Sequence, residues 1–552
     1  MRSLNQSNAS EHRAVDSGAL STRHSEPGTP PRFPFALILV LLYSLAINTY
    51  AIWWGLPSTN DPGWAPDEIR PEAVITGIQA RFSGDWSAKY PPTHFYILAS
   101  VYRILYNGNE LSAITESDYA LLAIASRIVT VLMGAGIVLI VYLCGTMVVG
   151  RTAAVAASFL AASIAPLVYY SKTANVDVPY LFWFMVSLFY FSRIYEFPTL
   201  RNHLLFAATA MTSICTKDTA YALYILPAVC IFGLLLTEHR PRGRWRALLL
   251  ALLDRRILFS VLLAMIVFLL LQNIAFNLEG FEGHVKRILG AGKEKSIVFD
   301  NTVRGHVEGL IQSVRNIRFS LGWASLAICT AGVIASSLRG HRNRALFWLS
   351  VPAVSCYLFM VSVLRSNFDR HLFPITITLT FYGGCAISLL LERNRALFRL
   401  RSLFVAAVMA YCVLYAVSVD FLMANDSRYY LREWIGEHAA RPNRVVEIGR
   451  PLYLPGFREL EWRKVGRDLT KIKNARIDYV VMNTSDIRST REEKIFAALE
   501  SGKLGFRRLD VQEPTPPLQL LNFDRVSSNL TKISPPLALF ERVRKAAPKK
   551  RD

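Results

Sequence analysis

The stretch "FALILVLLYSLAINTYAIWW", Phe35 to Trp54, contains no charged residue. A run of about 20 apolar residues spans a hydrocarbon core of about 30 Å. It lacks a small-residue cleavage pattern, so it reads as a retained first transmembrane helix and not a signal peptide. Similar blocks recur at 119–148, 153–170, 178–196, 203–216, 219–236, 256–275, 319–338, 345–364, 372–390 and 403–423. Together they predict a mainly α polytopic membrane protein with about 11 transmembrane helices. The block Thr93 to Tyr106 is shorter, carries Arg103 and follows Pro91-Pro92. It is expected to lie at the interface, giving interfacial helices in the first outside loop.

Charge decides the orientation. With the N-terminus inside and the short block not crossing, the inside loops include "SRIYEFPTLRNH" (192–203), "EHRPRGRWR" (238–246), "RGHRNR" (339–344) and "ERNRALFRLR" (392–401). All are basic, as the positive-inside rule requires. If Thr93 to Tyr106 crossed, every later loop would change sides. The expected localisation is a plasma (inner) membrane, multi-pass, with a cytoplasmic N-terminus.

Of the 552 residues, 52% are hydrophobic and 19% charged, with a net charge of +21. No nucleic-acid-binding module is present, so the basic excess is assigned to cytoplasmic loops and lipid headgroups rather than nucleic acid. The 7 cysteines lie in or beside apolar blocks without disulfide or zinc-finger spacing.

Residues 1–32 are rich in Ser, Asn, Arg and Pro and are expected to be a disordered cytoplasmic tail. Residues 33–424 would form the membrane domain. The part from 425 to 552 is soluble in character. There "RVVEI" and "DYVVMN" read as strands and "TREEKIFAALES" as a helix capped at Thr490, which suggests a small C-terminal α/β extracytoplasmic domain.

The polar residues of chemical interest fall on the outside connections. Asp67 and Glu68 open "DEIRPEAVITGIQARF". They read either as acids favouring a helix start or as functional carboxylates. Asp177 precedes Pro179 at the mouth of a helix, as a cap or as a working acid. A carboxylate at a membrane boundary is costly without a partner. Lys217 interrupts an apolar run beside Asp218, and a cation at that depth suits a lipid phosphate. Lys89 and His94 in "KYPPTHF", and Arg365, Arg370 and His371 in "RSNFDRHLFP", add positive charge to the same face. A lone His94 reads as a packing residue. No Gly-rich phosphate loop, zinc motif or Ser-His-Asp order is evident.

Taken in order, an acidic pair after the first helix, "GDW…KYPP", "NVDVP", "TKD" and "DRHLFP" resemble the GT-C membrane glycosyltransferases. The likeness is to the protein O-mannosyltransferase family (glycosyltransferase family 39) and the bacterial lipid A aminoarabinose transferases. It covers roughly 35–425 and is strongest over 60–225. It implies a GT-C-type catalytic domain over 33–424 that moves a sugar from a polyprenyl-phosphate donor to a protein, lipid or polysaccharide hydroxyl outside the membrane, with inversion. The implied base is Asp67, with Glu68 beside it. Asp177 would orient acceptor or sugar, and Lys89, Lys217 and Arg370 or His371 would meet the donor phosphate. Many aminoarabinose-type members have Lys-Gly and Pro-Pro-Leu where this chain has Lys217-Asp218 and Pro91-Pro92-Thr93. No cofactor is predicted and no ligand cluster supports a metal. The rival reading is a transporter or flippase for a lipid-linked or anionic molecule, but paired halves and mid-membrane charges are not visible.

Overall fold

The computed structural model describes residues 34–59, 61–106, 115–291, 298–338, 344–365, 367–392, 397–438, 444–456, 472, 477–487, 489–510 and 516–543. The N-terminal segment 1–32 and most of the basic loop 339–344 lie outside these.

Each apolar block is helical. Among the described residues six helices are long and apolar enough to cross a membrane, or seven if α5 (Arg151–Ala162) and α6 (Ala165–Ser171), bent by 65° at their junction, form one span. The six include α4 (Glu116–Val148), α13 (Val303–Leu338) and the segments Asp218–His239, Arg344–Ser362, Asp369–Leu390 and Phe398–His438. The other four blocks fall on α1 (Phe35–Thr49), α7 (Asp177–Glu196), α8 (Leu200–Ile214) and α11 (Arg255–Leu271). Three of these are only 15 to 17 residues long, and α7 carries Asp177, Arg193 and Glu196 at its ends.

In the first connection, α2 (Pro71–Gln79) and α3 (Thr93–Leu105) pack on each other through Val74, Ile78, Phe95, Leu98 and Tyr102, and on Leu122 of α4. They form a short amphipathic pair lying over the bundle end. His94 is fully buried in α3, and its ring makes no hydrogen bond among the described residues. Burial lowers its pKa to about 3, which keeps it a neutral packing residue.

Around the bundle, α5 packs on α4 and on α15 (Phe373–Leu390), α13 on α15, α7 on α4 and α8, and α11 on α8. Small residues permit these approaches. A Cβ on Gly332 would lie 1.9 Å from the Tyr382 carbonyl oxygen, and one on Gly384 would lie 2.2 Å from that of Ala153. Remaining helices are α9 (Ile225–His239), α10 (Arg244–Leu252), α12 (Leu278–Ala291), α14 (Arg344–Cys356), α16 (Phe398–Ala424) and α17 (Ser427–His438).

After α16 the chain builds a four-stranded mixed sheet of order β1-β2-β4-β3, from β1 (Val445–Ile448), β2 (Tyr479–Asn483), β3 (Phe506–Leu509) and β4 (Leu537–Arg542). Strands β1 and β2 are parallel, and β4 runs antiparallel to both β2 and β3. Helix α18 (Thr490–Glu500) is capped by Ser489, whose hydroxyl accepts the Glu492 N–H at 3.2 Å, one residue before the cap expected from sequence.

This domain is woven into the bundle. Leu521, Leu530 and Ile533, from the segment between β3 and β4, are buried in the same core as the membrane helices. At the root of the tail, Asp426 accepts the Trp54 indole N–H at 2.9 Å and pairs with Arg428 at 2.6 Å. The Arg428 guanidinium in turn lies 4.2 Å from the Trp64 ring centroid.

Candidate active site

The functional side chains gather at one end of the bundle, where α1, α6, α8 and α16 finish and α4, α7 and α15 begin. The loop after α1 brings Asp67 and Glu68 there, and it is rigidly held. Arg127, deep in α4, donates from Nη1 to the carbonyls of Ile52 and Trp54, each at 2.7 Å. Its Nε and Nη2 grip the two Glu68 carboxylate oxygens at 2.7 and 2.8 Å. Glu68 Oε1 also accepts the Ala174 N–H at 3.0 Å, and the Ile69 N–H donates to the Ala174 carbonyl at 2.6 Å. Arg127 is 0% and Glu68 2% exposed. This pair is a buried clamp between the loop, α4 and the approach to α7.

Asp67 points the other way. Its φ of 63° lies in the left-handed region, which aspartate tolerates better than most residues. Its carboxylate accepts from the Lys89 ammonium through one oxygen and from Arg370 Nη1, at 3.0 Å, through the other. The same Arg370 nitrogen lies 3.9 Å from Asp177, which is paired on its far side with the Lys217 ammonium. The five groups therefore form an alternating chain, Lys89–Asp67–Arg370–Asp177–Lys217. Three cations face two carboxylates, leaving a surplus positive charge.

Local structure fixes each member. Asp177 opens α7, where its backbone N–H donates to the Asn175 side chain at 2.7 Å. Lys217 stands in the break between α8 and the following 3₁₀ turn, its ammonium 5.0 Å from the Tyr180 ring centroid. Arg370 sits in the 3₁₀ turn Asp369–Leu372, and its N–H donates to the Asp369 carboxylate at 2.6 Å. Helix α12 ties two of these segments together: the His284 ring nitrogens lie 3.3 Å from the Asp218 carboxylate and 3.3 Å from the Ala88 carbonyl. His371 follows in the same turn, its ring edge-on to Phe368 at 5.7 Å between centroids and near enough to Asp177 to act on its charge.

Burial by itself would raise the Asp67 pKa, but the charges of Arg370 and Lys89 outweigh it and hold the carboxyl down at about 2. Asp67 is thus fully ionised and strongly engaged. A cavity of 460 Å³ opens beside it, lined by Asp67, Lys89, Tyr90, Trp86, Glu72 and Phe95 among others. Among the described residues no group of three or more His, Cys, Asp or Glu side chains could hold a metal ion.

Sequence reading anticipated Asp67, Asp177, Lys89, Lys217 and Arg370, which the structure brings together. It did not anticipate Arg127, the buried Lys172–Asp420 ion pair, or Asp369, whose other carboxylate oxygen accepts from Ser528 of the tail. Arg127 and Lys172 did leave a signal. A charge inside or beside an apolar helix is expensive unless partnered.

No protein-family model matches the chain, and no curated protein matches it. Solved structures do. Its structural neighbours are GT-C glycosyltransferases. An oligosaccharyltransferase from Archaeoglobus fulgidus, in complex with Zn and sulfate, is 12% identical over 92% of this chain and 88% of its own, with a TM-score of 0.45. ArnT from Cupriavidus metallidurans, bound to undecaprenyl phosphate, is 13% identical over 93% and 99%, with a TM-score of 0.45. Arabinosyltransferase EmbB from Mycobacterium smegmatis is 14% identical over 74% and 36%, with a TM-score of 0.41.

Proposed function

We propose that this chain is an integral-membrane glycosyltransferase that moves a sugar from a polyprenyl-phosphate donor to an acceptor hydroxyl, with inversion. The observation that carries this reading is the alternating chain Lys89–Asp67–Arg370–Asp177–Lys217, whose Lys89–Asp67 end lines a 460 Å³ cavity. Its surplus positive charge suits one lipid-borne phosphate. On a threading of about eleven crossings with the basic loops inside, this end of the bundle is the extracytoplasmic one, the short helices being accommodated by local bilayer thinning. The C-terminal domain then lies on that same side, and the N-terminus is cytoplasmic.

A phosphate leaves as a stable anion, so positioned cations suffice to stabilise the charge that develops on it. Lys217, Arg370 and Lys89 fill that role. Asp67 is the base on the acceptor hydroxyl, and Asp177 orients Arg370 and Lys217. Glu68 serves by position alone, since Arg127 occupies both of its oxygens.

The resting Asp67 is a weak base, because two cations hold its pKa at about 2. A donor phosphate competes for those same cations. As Arg370 and Lys89 turn to the phosphate, Asp67 loses its partners and its basicity rises toward the useful range. Binding the donor therefore arms the base.

Mass analysis of cell glycans tests the function. A deletion strain is compared with its parent and with the strain carrying Asp67→Asn. One glycan species should vanish on deletion, return with the wild-type chain and stay absent with the variant. Identical glycan profiles in deletion strain and parent would refute glycosyl transfer.

A further inference from the structure

At the opposite end of the bundle, the short helix α10 lies between α9 and α11. It buries only Ala247 and Ala251. Trp245, at 81%, and Leu249, at 59%, stand exposed on it, together with Arg244 and Arg246. An arginine-rich helix end with an outward tryptophan is the composition of a segment lying in the membrane–water interface.

Between α9 and α10 is a cavity of 620 Å³, lined by Arg240 and Arg244 on its polar side and by Leu236, Leu248 and Trp245 on its apolar side. The acids beside it are already engaged. Arg256 takes Glu238 at 2.9 Å and Asp254 at 2.8 Å, and His239 lies 3.4 Å from Asp254. Arg240 and Arg244 are both exposed and have no ion-pair partner among the described residues. Two guanidinium groups lining one cavity offer planar, multi-donor recognition of phosphate oxygens. The apolar wall continues that site toward the hydrocarbon.

We propose that the α9–α10 cavity binds an anionic phospholipid, its headgroup phosphate between Arg240 and Arg244 and one acyl chain along Leu236 and Leu248. Charge complementarity selects the occupant: a cavity with two unneutralised arginines and an apolar floor fits a molecule that joins an anion to a hydrocarbon chain. The site is independent of the sugar-transfer chemistry, which lies at the other end of the bundle.

Native mass spectrometry of the full detergent-solubilised chain tests it, with phosphatidylglycerol and phosphatidylcholine titrated separately. At about the free energy of one surface charge per arginine, the first phosphatidylglycerol should bind about thirtyfold more tightly than phosphatidylcholine. Arg240→Gln with Arg244→Gln should abolish that preference. Arg304→Gln, which removes another exposed arginine from the other end, should keep it. Excess inorganic phosphate that leaves phosphatidylglycerol bound identifies the lipid as the ligand. Displacement by inorganic phosphate at matching concentration would show a free-anion site instead, and overturn the lipid assignment. Equal binding of the two lipids, or full preference in the double variant, would also overturn it.

Discussion

Adjacent acids with opposite duties make a sharp test. In Glu68→Gln, the shape is kept but the buried Arg127 loses its counter-charge. Arg127 is 0% exposed, and its remaining partners are the two neutral carbonyls of Ile52 and Trp54. Removing one member of a buried pair costs about 3–5 kcal/mol, because the other charge stays buried without compensation. Asp67→Asn differs. Its partner Lys89 is 59% exposed and Arg370 keeps Asp177 at 3.9 Å, so neither cation is left buried without a counter-charge. The cost is smaller, about 2 kcal/mol, the loss of the interactions that hold the Asp67 pKa at about 2. As base, however, Asp67 contributes roughly 10²–10⁴-fold in rate. The assays are the fraction of chain that stays monodisperse in detergent after heating, read by size-exclusion chromatography, and glycan recovery in a complemented deletion strain. Asp67→Asn should keep more monodisperse chain after heating than Glu68→Gln yet restore no glycan. Glu68→Gln should aggregate at markedly lower temperature. A Glu68→Gln chain as heat-resistant as wild type would refute the clamp, and a fully complementing Asp67→Asn would refute the base.

The other predictions concern the surroundings of this pair. Arg370→Gln removes the larger of the two charges that depress Asp67, so its carboxyl should titrate at higher pH; carbodiimide labelling at pH 5, read by peptide mass spectrometry, should modify Asp67 in the variant and spare it in wild type. Ser528→Ala takes a buried hydroxyl from Asp369, which holds the Arg370 turn through its backbone N–H. Glycan recovery should fall while Ser528→Thr keeps it, and equal recovery in both variants would end the positioning role. In the tail, burial raises the Glu447 pKa to about 8, with nearby Asp61 adding to it and the Gly456 N–H and Arg432 opposing it. An acid whose pKa is raised on folding binds its proton more tightly in the folded state. It contributes stability that is present below about pH 4.5 and lost as pH rises through about 8. The melting temperature should therefore decline between those limits in wild type and stay flatter in Glu447→Gln, as differential scanning fluorimetry would record.

What the sequence reveals of this site follows from where each residue stands. Asp177, Lys217 and Arg370 each interrupt or border an apolar block, so hydropathy alone marks them and threading sends them to one face. Arg127 sits inside the block 119–148, and its partner lies 59 residues earlier. Asp369 and Ser528 are 159 residues apart. Period and composition report local structure, and they are silent about such pairings. The segment 516–534 hides for a related reason: apart from the short 3₁₀ turn Asn529–Lys532 it is irregular backbone and shows no periodicity, although Leu521, Leu530 and Ile533 join the membrane core. Even so, an arginine within a hydrophobic helix demands an acid as partner, which marks Arg127 as a residue whose partner is worth seeking among the outside loops.

The remaining ambiguity, which of two neighbouring carboxylates does the chemistry, is set by the backbone. At Asp67 the chain turns through a left-handed residue, φ 63°, so consecutive side chains diverge. Glu68 is sent inward to Arg127 and Asp67 outward to Lys89 and Arg370. Such a conformation costs free energy in any residue with a Cβ, and it persists only where surrounding contacts determine it. Here those contacts are the Glu68 clamp and the Ile69–Ala174 hydrogen bond. The structural acid thus maintains the strain that presents the chemical one. Gly in place of Asp67 would relax that strain while deleting the carboxylate, so Asp67→Gly should be at least as heat-stable as Asp67→Asn and equally inactive.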